Sequence, residues 1–308
     1  MLEGILVVVV LAVAAFFLAP WAAERLRRPM DVEEERFYAP GEFAKLSQGI
    51  THYRWFGPED GKLIVCVHGL STPAFGYEGL ALGLAQKGWR VLTYDLYGRG
   101  YSDNATGDQN LDFFLTQLGD LLAHQKITGK FSLVGYSMGG MIVAGYAARN
   151  PDRLERLMTL AAGGVAMPNL DGTRLQRAFP YLGWWTMIVL GGWSLRKYIM
   201  AEDGADPVRD RQLQATRRRG YWPALYSSQQ HIIRTDFEAL HRTIGDNGTP
   251  YLAIWAKQDQ VIPIQAVGTL SKWNRAARQG VLEDANHGLT YAHPARITLL
   301  FDSWARGI

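Results

Sequence analysis

Short apolar runs alternate with stretches of helical periodicity through most of the chain. The run at residues 63–67 is apolar at every position, which is typical of a strand buried on both faces of a parallel sheet. Such runs predict eight strands, at residues 43–48, 51–56, 63–67, 90–95, 131–135, 157–161, 250–255 and 279–283. The helical periodicity predicts five helices, at residues 76–87, 111–126, 138–149, 264–276 and 290–305. The alternation predicts an α/β fold with a mostly parallel central sheet and helices on both of its faces.

The alternation of strands and helices stops between about residues 163 and 245. This segment favours helices and is rich in tryptophan and tyrosine. One interpretation is a helical insertion that only packs on itself. The other is a cap that covers an apolar pocket, with Trp184, Trp185 and Trp193 as candidate substrate-lining residues.

The N-terminal segment has the composition of a membrane span. Residues 4–23 contain no charged side chain, and these 20 residues form a helix of roughly 30 Å, the thickness of the hydrocarbon core of a bilayer. A cleaved signal peptide would have basic residues before the apolar run, whereas the chain has Glu3 there and Pro20 and Trp21 at the other end. We predict a transmembrane anchor at residues 1–24, with a signal peptide or a buried core helix as the alternatives.

A charged connector at residues 25–42 follows the predicted anchor, and the globular domain is predicted to occupy residues 43–308. Three arginines, Arg25, Arg27 and Arg28, stand directly after the apolar segment. By the positive-inside rule, these arginines predict that the globular domain lies in the cytoplasm.

The composition excludes several classes of protein. The chain has 308 residues, of which 48% are hydrophobic, so wholesale disorder is excluded. Its net charge of +3 is too balanced to indicate nucleic-acid binding. The single cysteine, Cys66, excludes an internal disulfide framework and a cysteine-built zinc site, and it is predicted to be a small buried core residue.

The motif Gly-x-Ser-x-Gly occupies residues 135–139, directly after an apolar run and before a stretch with helical periodicity. In this strand–turn–helix context a tight turn presents the central serine, and the flanking glycines remove side chains that would clash. The helix dipole at this point favours developing negative charge. We predict that Ser137 is a nucleophile; the alternative is a glycine-rich turn used only for packing.

A serine hydroxyl is a weak nucleophile at neutral pH, so it needs a general base, and the base needs an orienting carboxylate. With this motif the chain order is serine, acid, histidine. Asp259 and His287 each follow a predicted strand in that order, at the edge where open α/β sheets form their sites. The alternatives are His293 for the base, and Asp284 or Asp236 for the acid.

Two backbone N–H groups are needed to bind the oxyanion of a tetrahedral intermediate. We predict that Met138, directly after the nucleophile, supplies one of them. The loop after strand 63–67 is predicted to supply the other from Leu70, with Ser71 as the alternative. His68, in the same loop, is predicted to brace the loop and not to take part in catalysis.

A second glycine-containing loop, Gly-Arg-Gly-Tyr-Ser-Asp at residues 98–103, resembles a phosphate-binding loop only superficially. It lacks the lysine of a P-loop and the last glycine of a dinucleotide fingerprint. We interpret this loop as structural.

Together these motifs resemble the α/β-hydrolase family. The resemblance covers about residues 45–305 and depends on the stretches 68–71 and 95–103, the serine motif, Asp259 and His287. With its anchor and the stretches Ser-Met-Gly-Gly and Trp-Ala-Lys-Gln-Asp-Gln-Val, the chain also looks like membrane-anchored monoacylglycerol lipases. It looks more closely like bacterial inner-membrane phospholipases A with a single span.

The resemblance implies an α/β-hydrolase fold with a helical cap, and a hydrolase that removes acyl chains from glycerophospholipids or lysophospholipids and releases fatty acid. It also implies a catalytic domain on the periplasmic side of the bacterial inner membrane and a homodimer formed through the anchor region. The periplasmic side conflicts with the arginines after the anchor, and we give the resemblance more weight.

The predicted function is therefore a membrane-anchored serine ester hydrolase that works through an acyl-enzyme at Ser137 and needs no cofactor. The first alternative is a monoacylglycerol lipase or a general carboxylesterase. Another enzyme on the same scaffold, such as a thioesterase or a carbon–carbon hydrolase, is also consistent with the motifs, because a fold does not fix its substrate. A complete set of serine, acid and histidine disfavours a non-catalytic binding protein.

Overall fold

The computed structural model describes residues 1–29, 32–166, 178–202, 206 and 208–307. In this part of the chain, eight strands form one sheet in the order β1-β2-β4-β3-β5-β6-β7-β8. The first two pairings, β1 with β2 and β2 with β4, are antiparallel, and all the others are parallel. The strands are β1 Glu42–Leu46, β2 Gly49–Phe56, β3 Lys62–Val67, β4 Trp89–Tyr94, β5 Phe131–Tyr136, β6 Leu154–Leu160, β7 Tyr251–Ala256 and β8 Arg278–Leu282. All eight predicted strands are present, and the mostly parallel sheet is confirmed.

Helices cover both faces of the sheet, as predicted. One apolar cluster joins the sheet to α4, α5, α9 and α10, and a second cluster joins its other face to α3, α11 and α12. Cys66 is fully buried in the second cluster. The sheet-layer helices are α3 Glu78–Gln86, α4 Leu111–His124, α5 Met138–Arg149, α9 Phe237–Asp246, α10 Ala266–Trp273, α11 Leu289–Ala292 and α12 Pro294–Arg306.

The predicted last helix, at residues 290–305, is divided in two. The division falls at His293, because Pro294 cannot donate an N–H to the helix before it and instead begins α12.

The cap is made of α6 Pro180–Ala201, α7 Arg209–Ala215 and α8 Tyr221–His231. The predicted insertion at about 163–245 also included α9, but α9 packs on α5 and α10, and its Phe237 and Ile244 are buried in the sheet-layer cluster. The described cap therefore ends before α9. Residues 167–177 of the predicted insertion lie outside the described residues.

The N-terminal helix α1 covers Leu2–Leu26, so it continues two residues beyond the predicted anchor at 1–24. Within the described part of the chain it is the one helix that is long and apolar enough to cross a membrane, and none of its apolar window is buried by the rest of the protein. The connector at 25–42 contains a short helix, α2 Val32–Phe37.

The C-terminal end of α1 is attached to the cap by several polar contacts. The Arg219 guanidinium donates to the backbone carbonyls of Glu24 and Arg25, and the Glu24 carboxylate accepts from the Gly220 N–H. Arg27 donates to the Ile188 carbonyl on α6. The end of the candidate span and the cap are thus held as one unit.

Candidate active site

Ser137 lies in the tight turn between β5 and α5. Its backbone angles are φ 53° and ψ −119°, a conformation that costs a non-glycine residue free energy and is typical of active-site nucleophiles. A Cβ atom at Gly135 would overlap the carbonyl oxygen of Gly139, and one at Gly139 would overlap the carbonyl oxygen of Val67. Both flanking glycines are therefore required for the turn, which projects the Ser137 hydroxyl above the sheet edge.

Three side chains from distant parts of the sequence form one hydrogen-bonded line at this edge. His287 Nε2 lies 3.0 Å from Ser137 Oγ, and His287 Nδ1 lies 2.8 Å from Asp259 Oδ2. Asp259 follows β7 and His287 follows β8, so the parallel strands deliver all three side chains to the same edge. The structure brings together the three predicted residues.

The Asp259 carboxylate is fixed in place by its own loop. Its Oδ1 accepts hydrogen bonds from the N–H groups of Val261 at 2.7 Å and Ile262 at 2.8 Å, which leaves Oδ2 to face His287. The side chain is buried, and the Tyr136 ring packs against the imidazole with its centroid 5.3 Å away. These contacts hold the imidazole with Nδ1–H towards Asp259 and Nε2 free to accept the serine proton.

The alternative acids and base lie elsewhere. Asp284 is exposed and pairs with Arg296, and Asp236 accepts from the Ala239 N–H as the N-cap of α9. His293 stands between α11 and α12. None of these three side chains contacts Ser137 within the described residues.

The two predicted oxyanion donors flank the serine. Met138 begins α5, so its N–H has no partner inside the helix, and the loop of Leu70 passes over Ser137 at Gly69, where an added Cβ would lie 3.1 Å from Ser137 Cβ. In the part of the chain that the structure describes, neither the Leu70 nor the Met138 N–H donates to a protein acceptor. Both groups are available to a substrate oxygen, and Ser71 remains the alternative to Leu70.

His68 braces the loop, as the sequence suggested. Its Nδ1 lies 2.7 Å from the Gly69 carbonyl oxygen and its Nε2 accepts from the Leu96 N–H at 2.9 Å. An imidazole that donates at one nitrogen and accepts at the other is neutral. Burial lowers the pKa of His68 to about 4, in agreement with that state.

Arg99, in the loop at 98–103, is a positioning residue that the sequence did not single out. Its side chain is buried, and burial lowers its pKa to about 9. Its Nε donates to the Leu70 carbonyl at 3.2 Å, and its Nη2 donates to the Ala224 carbonyl and to Ser228 Oγ on α8. The remaining donors reach the Tyr97 carbonyl and Gln109. One guanidinium thus connects the predicted oxyanion loop to the cap.

A cavity of about 340 Å³ lies between the serine and the cap. Ser137, His287 and Leu70 form its floor, and its walls are mostly apolar side chains of the cap. The cap residues that line it are Met187, Gly191, Ser194, Leu195, Tyr198, Ile199, Gln212, Trp222 and Leu225. The arrangement is suited to an acyl group held with its carbonyl beside Ser137.

None of the three tryptophans predicted to line the pocket is among the residues around the cavity, which corrects that prediction. Trp184 packs on Trp21 and Trp185 packs on Phe16, both on α1, while Trp193 is 71% exposed. Trp184 shares a face of α6 with Met187 and Gly191 but stands about one and two turns before them, at the end of α6 that meets α1. Trp193 is on the opposite face. Trp222 on α8 is the tryptophan that faces the cavity.

A polar cluster lies beside His287, with Glu202 and Tyr291 buried and Tyr198 partly exposed. The Glu202 carboxylate accepts from the hydroxyl of Tyr291 at 2.6 Å and from that of Tyr198 at 3.2 Å. Burial raises the pKa of Tyr291 and of Tyr198, so both hydroxyls stay protonated. Glu202 has no motif around it in the sequence, and only the fold shows its place. Among the described residues, no cluster of three or more His, Cys, Asp or Glu side chains is placed to hold a metal ion.

Comparison with known proteins agrees with this geometry. A family profile described as "alpha/beta hydrolase fold" matches residues 62–192. A 2-hydroxymuconate semialdehyde hydrolase of Pseudomonas is 24% identical over 77% of this chain and 84% of its own. A pimeloyl-[acyl-carrier protein] methyl ester esterase of Aeromonas salmonicida is 25% identical over 75% of this chain and 90% of its own.

Solved structures share the fold. An enol-lactonase from Burkholderia xenovorans superposes with a TM-score of 0.74 and 20% identity over 86% of this chain and 100% of its own. A membrane phospholipase A described as a bacterial virulence factor superposes with a TM-score of 0.71 and 16% identity over 99% of this chain and 97% of its own. The sheet order, the profile match over residues 62–192 and these likenesses show that the chain has the α/β-hydrolase fold. The sequence relatives are named hydrolases and esterases, and with the geometry of the site they identify a carboxylic ester hydrolase.

Proposed function

We propose that the protein is a membrane-anchored serine hydrolase that removes acyl chains from glycerophospholipids or lysophospholipids. The observation that carries the proposal is the Ser137–His287–Asp259 line on the floor of a mostly apolar cavity, under a cap that is bonded to a candidate span. An apolar cavity suits an acyl chain, and an anchor keeps the enzyme beside lipid substrates.

The N-terminal helix also supports this proposal. The likeness to the membrane phospholipase A covers 99% of the chain, and so includes α1, whereas the enol-lactonase covers 86%. α1 has no charged residue between Glu3 and Glu24, and this uncharged stretch is long enough to span a bilayer.

In the proposed reaction, Ser137 Oγ attacks the ester carbonyl while His287 Nε2 takes its proton. The N–H groups of Leu70 and Met138 bind the oxyanion, and Asp259 stabilises the imidazolium. The imidazolium then gives its proton to the leaving alcohol as the ester C–O bond breaks. Water, deprotonated by His287, cleaves the acyl-enzyme and releases a fatty acid, which restores Ser137.

The membrane side and the assembly belong to the same proposal. We place the catalytic domain on the periplasmic side of a bacterial inner membrane, against the positive-inside rule for the arginines after α1. A homodimer through the region of α1 is part of the proposal as well. A C-terminal reporter that is active only in the periplasm tests the side, and crosslinking between α1 helices tests the dimer.

A lipid panel tests the substrate class. The full-length enzyme in detergent is given a diacyl phospholipid, a lysophospholipid, a monoacylglycerol and a short-chain ester, and released acid is quantified. We expect faster release from one of the phospholipid classes than from monoacylglycerol. Release only from monoacylglycerol or the short ester would favour a monoacylglycerol lipase or a general carboxylesterase.

Two serine variants complete the panel. Ser137→Ala should abolish release from every substrate, while Ser303→Ala, an exposed serine on α12, should leave it unchanged. Hydrolysis that persists in purified Ser137→Ala protein would overturn the proposed mechanism.

A further inference from the structure

Pro20 interrupts the hydrogen-bond ladder of α1. In a regular helix the Phe16 carbonyl accepts from the N–H of residue 20, and proline has no N–H to give. In water such a carbonyl is solvated, but in hydrocarbon a carbonyl without a hydrogen-bond donor is strongly unfavourable. A proline in a membrane span therefore needs a donor from a neighbouring helix.

The cap supplies that donor. The indole Nε1 of Trp185 donates to the Phe16 carbonyl at 2.9 Å, and the Tyr181 hydroxyl donates to the adjacent Phe17 carbonyl at 2.9 Å. Both donors come from the first two turns of α6. The carbonyl that Pro20 leaves without an intrahelical partner is thus satisfied by a side chain of the cap.

Ring packing fixes the two helices side by side at this level. Phe16 stacks on Trp185 with ring centroids 5.2 Å apart, and Trp21 meets Trp184 edge-on at 5.2 Å. Further along α1, Arg27 reaches the Ile188 carbonyl. The pairings of Phe17 with Tyr181, Trp21 with Trp184 and Arg27 with Ile188 advance in the same direction along the chain. The start of α6 therefore lies beside α1 and not beyond its end.

The depth of this contact follows from the helix rise. Phe16 and Phe17 precede residue 23, the end of the predicted span, by six or seven residues, which is about 10 Å along the axis. If α1 crosses the bilayer, the first turns of α6 therefore lie inside its hydrocarbon region.

The composition of α6 fits that position. Residues 179–195 contain no charged side chain, and the first charges are Arg196 and Lys197, near the other end of the helix. At the start of the helix, Phe179 is 58% exposed and Leu182 is 41% exposed. These apolar side chains extend the exposed apolar surface of α1.

We propose that the first two turns of α6, residues 180–186, insert into the acyl region of the bilayer beside α1. There Trp185 donates to the Phe16 carbonyl that Pro20 leaves without an intrahelical donor, and Tyr181 donates to the adjacent Phe17 carbonyl. The inference depends on the proposed anchoring. The exposed apolar surface of residues 180–186 is then covered by lipid and not by a second protein. Because Met187 and Gly191 of the next turns line the cavity, the wall of the active site then begins at the membrane surface.

Depth-dependent quenching tests this insertion in the full-length protein. Leu182→Cys carries an NBD label, and the protein is reconstituted in phosphatidylcholine vesicles with or without nitroxide-labelled acyl chains. Val13→Cys, 51% exposed on α1, marks the span, and Leu82→Cys, 49% exposed on α3, marks the globular domain. Cys66 is buried, so unsubstituted protein gives the labelling background.

We expect quenching at Leu182→Cys and Val13→Cys to exceed that at Leu82→Cys by at least threefold. Strong quenching at Val13→Cys with Leu182→Cys no different from Leu82→Cys would overturn the insertion and leave the anchoring intact. A second copy of the chain packed on α6 would give this same result. Weak quenching at all three sites would overturn the anchoring and the insertion together.

Discussion

The sheet edge and the cap of this molecule are built by different means. At the sheet edge, backbone groups hold the reacting side chains: a strained turn projects Ser137, and two loop N–H groups fix Asp259. In the cap, side chains hold one helix against another and against α1, as in the bonds from Trp185 and Arg27. The chemistry therefore depends on local chain geometry, whereas the shape of the cavity depends on tertiary contacts.

One residue connects the two regions. Arg99 bonds the Leu70 carbonyl on the sheet side and Ala224 and Ser228 on the cap side, and all of its acceptors among the described residues are uncharged. A buried guanidinium without a carboxylate is costly unless its donors are satisfied. Its five hydrogen bonds set the spacing between the predicted oxyanion loop and the cap.

The largest effect should come from the acid on the sheet side. Asp259→Asn keeps the shape of the side chain but favours the wrong imidazole tautomer, so kcat should fall about 10⁴-fold. Asp284→Asn is the matched control, because Asp284 is exposed and pairs only with Arg296 within the described chain. Steady-state kinetics on one ester substrate measure both variants. Equal losses in the two variants would contradict the assignment of the acid.

On the cap side, the cavity should determine the acyl chain lengths that the enzyme prefers. Leu195→Trp fills space over the serine and should lower kcat/KM for long-chain esters about 15- to 60-fold, since two or three methylenes lose about 0.8 kcal/mol of burial each. Short-chain esters should be affected less. Trp193→Ala, at a position pointing away from the cavity, should leave the chain-length profile unchanged. A profile that shifts in Trp193→Ala but not in Leu195→Trp would favour the original prediction for the tryptophans.

Acid should weaken the sheet layer through His241, which stacks between Tyr251 and Trp273. Burial lowers the pKa of His241 to about 4 from 6.5, so the unfolded chain binds the proton more readily than the folded one. Stability from this group is present above about pH 6.5 and is lost as pH falls towards 4. Between pH 7 and 5 the free energy of unfolding should drop by about 1 to 2 kcal/mol.

His241→Phe keeps the stacked ring and removes this titration. Chemical unfolding of both proteins at the two pH values measures the difference. An equal drop in wild type and variant would show that His241 does not contribute to the acid sensitivity.

The smallest effect is expected where the cap meets α1. Trp185→Phe removes the donor to the Phe16 carbonyl, while Pro20→Ala restores an N–H inside α1 that takes its place. The loss of unfolding free energy caused by Trp185→Phe should therefore be about 1 kcal/mol smaller in the Pro20→Ala background. Thermal unfolding in detergent of the two single variants and the double variant gives this coupling. Strictly additive changes would mean that the indole does not serve the carbonyl freed by proline.

The strands and the motif residues were predictable because each depends on a short pattern. Apolar runs such as 63–67 indicate buried parallel strands, and Gly-x-Ser-x-Gly before a helix predicts the strained turn. Asp259 and His287 followed from their order and from their places after strands.

The faces of the cap helices were not predictable in the same way. An almost wholly apolar helix such as α6 has no polar stripe to show its orientation, so the sequence did not reveal that Trp184 and Trp185 pack on α1. The roles of Arg99 and Glu202 were not predicted for a related reason, because their partners on α8 and α11 are remote in sequence. Pro20 next to an apolar run was the one available signal that α1 needs a neighbouring donor.

Mass-spectrometric mapping of a fluorophosphonate adduct on the full-length protein tests most directly whether Ser137 is the nucleophile and His287 its base. We expect one adduct, on Ser137, that forms at least about 10³-fold more slowly in His287→Ala, because the serine then loses its base. An adduct on another residue, or labelling of Ser137 at an undiminished rate without His287, would contradict this assignment.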